Sequence, residues 1–260
     1  MRGKVYFIGA GPGSPDLITV RGMKILSKAD LVVYADSLVS EEMLKYCRNG
    51  AQIVGSSSMT LEETNLEIVK AVDDGKTVAR LHSGDPSVYG ALAEQIRMLK
   101  QHDIEMEVVP GISSAFAASA LLGMELTVPG ISQSIIFTRI PGRTERIEAE
   151  NPVELARLKR TMIFFLSALS ARELTESLLE AGWPEDSKAV IFYRISWPEE
   201  KVILTDVSRL EEEIRKEKLD RQVLIIVGPA VQNFFNDTGK RSMLYNPQFS
   251  HRFRTDTKHE

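Results

Sequence analysis

The chain has 260 residues, 43% of them hydrophobic and 26% charged, and a formal net charge of -4 at pH 7. These are the proportions of a soluble globular protein long enough for one large or two smaller α/β domains, and the acidic balance advertises no surface for nucleic acid. The single cysteine, Cys47, excludes an intrachain disulfide and any multi-cysteine metal site. The short apolar run before Gly9 is no signal sequence, no later stretch reaches the length of a membrane span, and a reducing cytoplasm suits the whole.

Val5-Tyr6-Phe7-Ile8 predicts a buried strand, ended by Gly9-Ala10-Gly11-Pro12-Gly13-Ser14-Pro15. A dinucleotide fingerprint wants glycine or alanine where Ser14 stands, and Pro12 and Pro15 remove two backbone donors from the turn that would hold a pyrophosphate. These glycines therefore bring the chain close to something other than a phosphate. Val20, Met23, Leu26 and Ala29 mark a helix face, and Leu31 to Tyr34 a second strand. It runs into Ala35-Asp36-Ser37, where Asp36 either caps the next helix or faces a ligand. Ala51 to Gly55 is a third strand, and Thr60 with Glu63 forms a capping box for a helix reaching Val72.

Val78 to Leu81 is a fourth strand and breaks into Ser83-Gly84-Asp85-Pro86, a cluster that exposes backbone. Gly84 permits positive φ, and Pro86 biases Asp85 away from helix. A helix follows, with Asp85 or Ser87 as its cap and Ala91, Leu92, Gln95, Ile96 and Leu99 on its periodic face. Glu105 to Val109 is a fifth strand, leading into Pro110-Gly111-Ile112-Ser113-Ser114 and an alanine-rich helix to Leu122. Five strands alternating with helices imply a parallel sheet with right-handed crossovers. The loops after Ile8, Tyr34, Leu81 and Val109 then share one edge. Four small-residue turns there are more than chain reversal requires, and the carboxyl edge of such a sheet is where small molecules bind.

The texture changes near Leu126-Thr127-Val128-Pro129-Gly130, which divides the chain into domains at 1–125 and 126–238. Ser134 to Thr138, Met162 to Leu166, Ala189 to Tyr193, Lys201 to Thr205 and Val223 to Val227 read as strands, and Ser170 to Ala181 and Val207 to Glu217 as helices. Two strands closely spaced around Trp197-Pro198-Glu199-Glu200 suggest a hairpin, hence a mixed sheet. Beyond Gly228-Pro229 the alternation is lost, and the polar segment 239–260 is expected to be disordered. Arg139, Arg143 and Arg146 lie in one polar stretch, where planar guanidinium groups suit carboxylates or simply face water. Of His82, His102, His251 and His259 only His82 adjoins a suspected site, and no pair has ligand spacing, so no protein-bound metal is expected.

Three of these motifs, in order and spacing, resemble the tetrapyrrole methylases, which transfer methyl groups from S-adenosyl-L-methionine to porphyrinoid intermediates. They are Gly9-Ala-Gly-Pro-Gly-Ser-Pro-Asp-Leu-Ile-Thr, Ser83-Gly-Asp-Pro and Val109-Pro-Gly-Ile-Ser-Ser, and the likeness spans roughly residues 4 to 230. Tyr34-Ala-Asp-Ser-Leu-Val-Ser, His82-Ser-Gly-Asp-Pro-Ser-Val-Tyr-Gly-Ala and Glu125-Leu-Thr-Val-Pro-Gly-Ile-Ser-Gln-Ser-Ile-Ile-Phe-Thr-Arg are most similar to the branch that methylates carbon 11 of a corrin precursor. The uroporphyrinogen branch tends to carry Asp and Arg where this chain has Ala35 and Ala91.

The resemblance implies a class III methyltransferase of two α/β domains, the first with a parallel and the second with a mixed sheet, assembled as a homodimer. It implies donor contacts from Pro12, Ser83, Gly84, Asp85, Ser113 and Ser114, with Leu166 and Ile195 supplied by the second domain. Relatives often have Met and Ala at those last two positions. Any cobalt would arrive inside the tetrapyrrole. A sulfonium is already activated, so alignment and exclusion of water do most of the work, and Asp36 and Tyr89 are the residues expected to orient the macrocycle or relay a proton. An NAD-dependent oxidoreductase would fail at Ser14, an RNA methyltransferase would want a basic surface, and a binding protein without chemistry stays open.

Overall fold

Each of the five strands expected in the first half forms in the computed structural model, which describes residues 2–141, 151–246, 249, 250, 252 and 254. The chain divides into two compact units, Met1–Ala118 with Arg194–Glu200, and Ser119–Tyr193 with Lys201–Glu260. The sequence boundary at 125/126 is thus seven residues late, and the tip of the predicted hairpin belongs to the first unit.

In the first unit β1 (Val5–Gly9), α1 (Val20–Leu26), β2 (Leu31–Tyr34), β3 (Gln52–Gly55), α2 (Leu61–Asp73), β4 (Val78–His82), α3 (Leu92–Lys100) and β5 (Met106–Val109) follow in order, and the division after Ala118 falls within α4 (Ser114–Leu122). The strands lie β3-β2-β4-β1-β5, all parallel. Every residue of β4 is buried, as a strand covered on both faces requires. Ile8, Val32 and Leu81 pack with Leu26 of α1 on one face, while Phe7, Leu31 and Val33 pack with Ile68, Val72 and Leu99 of α2 and α3 on the other. The chain therefore leaves β1 toward one face and its neighbour β4 toward the opposite one. Between their carboxyl ends lies the switch point at which open α/β sheets take ligands.

Caps account for the helix starts. The Thr19 hydroxyl accepts from the Gly22 amide at 3.1 Å, and Thr60 and Glu63 form both halves of the expected capping box. The expected cap at Asp85 or Ser87 is corrected. Helix α3 begins only at Leu92, behind Ala91 in the left-handed region at φ +49°, with no side-chain cap. Asp36 caps no helix either; the 3-10 turn Glu41–Tyr46 is capped by Ser40.

In the second unit β6 (Ile135–Thr138), α5 (Pro152–Arg157), β7 (Thr161–Phe165), α6 (Ala171–Glu180), β8 (Lys188–Tyr193), β9 (Lys201–Asp206), α7 (Leu210–Lys216), β10 (Val223–Val227) and α8 (Pro229–Phe235) build a mixed sheet. Its order is β6-β7-β10-β8-β9, with only β6 and β7 parallel. Met162, Phe164, Ile191 and Ile225 meet Leu174, Leu178, Leu210 and Ile214 of α6 and α7 in its core. Helices α5 and α8 were not predicted: each is under two turns and opens on a proline, so neither shows a period. In the polar C-terminal segment Met243–Tyr245 makes a 3-10 turn, and the Arg254 guanidinium donates to the carbonyls of Leu244, Asn246 and Phe249. Among the described residues no helix is long and apolar enough to cross a membrane.

Candidate active site

Glycine backbones knit the loops after β1, β4 and β5 together. Gly11 and Gly84 exchange amide-to-carbonyl hydrogen bonds at 3.2 and 2.8 Å, and the Ala10 amide donates to the His82 carbonyl at 2.8 Å. Both glycines hold positive φ, +79° and +64°. A Cβ on Gly9 would lie 2.5 Å from Gly111 Cα and 2.7 Å from the Gly84 oxygen. What the first glycines approach so closely is thus two other loops of the same sheet edge. Gly84 differs, since its Cβ would meet nothing nearer than Ser113 Cα at 3.6 Å. Its constraint is conformational, and space is open beside it.

Asp85 fastens the β4 loop to the β5 loop. One carboxylate oxygen accepts from the Ser87 amide at 2.9 Å and from the Ser87 hydroxyl, the other from the Gly111 amide at 2.8 Å. Burial alone would push its carboxyl up, but these donors outweigh burial and hold it below the usual carboxylate range. Ser113 is buried, its hydroxyl accepting from the Ala115 amide at 3.4 Å, and Ser114 opens α4. Pro12, Ser83, Gly84, Asp85, Ser113 and Ser114 are therefore brought to one edge of the first sheet. Ile195 is buried in the same unit, its carbonyl 2.8 Å from where a Gly13 Cβ would stand. The expectation that the second domain supplies it is corrected on that contact.

The other expected residues lie elsewhere. Leu166 follows β7 in the second unit, 60% exposed and at φ +52°. Arg139 follows β6, half-buried, whereas Arg143 and Arg146 fall outside the described residues. Tyr89 sits on the turn after β4, 46% exposed and also at φ +52°. Asp36 accepts from the Ser57 amide at 2.7 Å and hydroxyl at 2.6 Å, tying the β2 loop to the β3 loop. The Ser57 hydroxyl, joined by nearby amides and opposed by burial, holds the Asp36 carboxyl below its ordinary range.

A buried polar set beneath this edge was missed. The Arg80 guanidinium donates to Ser56 Oγ at 2.9 Å and Gln95 Oε1 at 3.2 Å, while Gln95 Nε2 donates to the Gly90 and Ala91 carbonyls. Burial lowers Arg80 to about 10, against the pull of Asp36, so it stays charged at neutral pH. His82, 6% exposed, has its Nε2 buried without a hydrogen-bond partner, and its ring lies 5.8 Å from that of Phe7. Burial first, then the charge of Arg80, lowers His82 to about 3 although Asp85 pulls it upward. Arg80 had a sequence signal, a permanent charge inside an otherwise apolar strand. Among the described residues no cluster of three or more His, Cys, Asp and Glu could hold a metal ion.

A five-stranded parallel sheet with glycine-knit loops at its switch point, and a separate mixed sheet, is the architecture of the class III methyltransferases. The chain belongs to the tetrapyrrole (corrin/porphyrin) methylases, whose family model matches residues 4–211. It is 42% identical over 257 residues to the cobalt-precorrin-4 C(11)-methyltransferase of Priestia megaterium, covering 99% of this chain and all of that one. The X-ray structure of a cobalt precorrin-4 methyltransferase superposes with a TM-score of 0.85 at 42% identity, over 88% of this chain and 95% of the other. Uroporphyrin-III C-methyl transferase from Thermus thermophilus, crystallised with S-adenyl homocysteine, gives 0.73 at 26% identity over 88% and 99%.

Proposed function

We propose that this chain is an S-adenosylmethionine-dependent C-methyltransferase of cobalamin biosynthesis that methylates carbon 11 of precorrin-4 or its cobalt form. The observation that carries this reading is 42% identity along the whole length of a relative with that activity in its name. The donor is supported by the S-adenyl homocysteine complexed with a methylase of the same fold, and by a lining that fits it. Gly84 leaves a Cβ-sized gap, and small residues surround it.

The donor when bound supplies an activated methyl group; the protein's part is position. Pro12, Ser83, Gly84, Ser113, Ser114 and Ile195 present backbone and small side chains to the donor, with Leu166 carried over from the resemblance. Asp85, ionised and accepting hydrogen bonds through both carboxylate oxygens, keeps two of the loops in register. Asp36 and Tyr89 orient the tetrapyrrole, and Arg139 with Arg143 binds its carboxylates. A homodimer in the cytoplasm completes the reading. The test is to incubate the purified protein with S-adenosylmethionine and precorrin-4, with and without cobalt, and to locate the new methyl group by mass spectrometry and NMR. One methyl at carbon 11 is expected; a methyl on another carbon, or none on either substrate, overturns it.

A further inference from the structure

The turn between β8 and β9 holds the β1 loop from outside. The Trp197 indole Nε1 donates to the Pro12 carbonyl at 3.1 Å, and the Ser14 amide donates to the Ser196 hydroxyl at 2.9 Å. A Cβ on Gly13 would stand 2.5 Å from Trp197 Nε1 and 2.8 Å from the Ile195 oxygen, so the turn fills the volume that a side chain at 13 would need. The turn is itself braced. The Ser196 amide donates to the Glu200 carboxylate at 2.6 Å, and the Arg194 guanidinium stacks 5.1 Å over the indole and pairs with Glu199 at 3.1 Å.

Arg194 and Ser196 hold φ +50° and +61°, a region that residues with a Cβ seldom occupy. Such backbone persists where its surroundings over-determine it, and it gathers at functional sites. The hairpin does not need this contact for its register, which six paired residues from Lys188↔Asp206 to Tyr193↔Lys201 already set. The loop does need it, because Pro12 and Pro15 have no amide hydrogen to spend on holding the turn.

We propose that Trp197 is a positioning residue for the methyl donor, fixing the Pro12–Ser14 turn in the shape that receives it. The inference rests on the donor reading given above. In calorimetry with S-adenosylhomocysteine, Trp197→Phe keeps the ring and loses the donor hydrogen, and is expected to bind about 3- to 10-fold more weakly, the net worth of one hydrogen bond. The Michaelis constant for the tetrapyrrole and the ligand-free melting temperature should stay near wild type, which a merely structural role would not leave so. Gly13→Ala should weaken the donor as well, and by less in a Trp197→Ala background, where the clash with the indole is gone and only that with the Ile195 oxygen remains. Unchanged affinity in Trp197→Phe, or additive losses at 13 and 197, overturns the proposal. Should Trp197→Phe fail to fold, Ser196→Ala reads the same quantity, and unchanged affinity there is equally fatal. Wild type that does not bind S-adenosylhomocysteine fails the donor reading itself, whereas binding wild type with unaffected variants fails the Trp197 assignment alone.

Discussion

Gly84 and Gly111 sit in adjoining loops and are glycine for different reasons. At Gly84 a methyl group fits, but φ +64° is unfavourable for any L side chain. Gly84→Ala is therefore expected to fold, with a loss of about 1–2 kcal/mol, and to lose affinity for S-adenosylhomocysteine because the methyl fills the gap beside the backbone. At Gly111 a Cβ would collide with the Gly84 carbonyl and lie 2.7 Å from Gly9 Cα, so Gly111→Ala must open the loop junction and cost considerably more. Urea midpoints of the two variants measured side by side decide this; equal losses would refute it. Asp36 makes the complementary case. Ionised at neutral pH and bonded to Ser57 through both oxygens, it has no proton to give. Asp36→Asn is accordingly expected to spare donor affinity and to lower turnover by less than the ~10² that marks a positioned acid or base. A larger drop with intact donor binding would make Asp36 the proton acceptor of the reaction.

Among the elements, strands were legible and the roles of loop carboxylates were not. The runs Val5–Gly9, Leu31–Tyr34 and Val78–His82 could be read because burial on both faces leaves an unbroken apolar stretch between turn residues. The Thr60–Glu63 box could be read because both partners lie within four residues. Asp36 and Asp85 invited helix caps, yet Asp36 bonds Ser57, 21 residues away, and Asp85, besides its local bonds from Ser87, takes the Gly111 amide from 26 residues away, where no local pattern points. Sheet order creates those pairs, and it also brings Arg80 to Ser56 and Gln95. The glycine loops and Ser113-Ser114 were legible through their motifs, whereas Trp197 looked like any hairpin residue. The Asp85 staple has a consequence of its own. Asp85→Ala strips the half-buried Gly111 amide and the exposed Ser87 amide of their acceptor, a loss of about 1 kcal/mol, mostly at Gly111, and frees the segment leading to Ser113. Stability and donor affinity should therefore fall together, as calorimetry and a melting curve would record. A variant that loses stability but binds the donor normally would confine Asp85 to holding the fold.

For the molecule as a whole, acid is the condition most revealing of its interior. His82 is lowered to about 3 by burial and by Arg80, whereas an unfolded histidine titrates near 6.5. Between those values the unfolded chain binds a proton that the folded chain refuses, so stability falls as pH falls through this window. The loss from His82 is on the order of 2 kcal/mol by about pH 5. Asp36 and Asp85 also have lowered pKa values. Their stabilisation is complete above the ordinary carboxylate value and is lost only below about pH 4. Destabilisation should thus come in two stages, a gradual one belonging to His82 and a steeper one belonging to the carboxylates. His82→Gln, neutral at every pH, should abolish the first stage and leave the second. The chain forms two compact units, which can unfold separately, so the transition to follow is that of the unit containing His82. Urea midpoints for wild type and His82→Gln between about pH 7 and about pH 5 provide the test. Parallel slopes would show that His82 takes up its proton without cost, and would remove the neutral histidine from beneath the Ser83-Gly84-Asp85 loop.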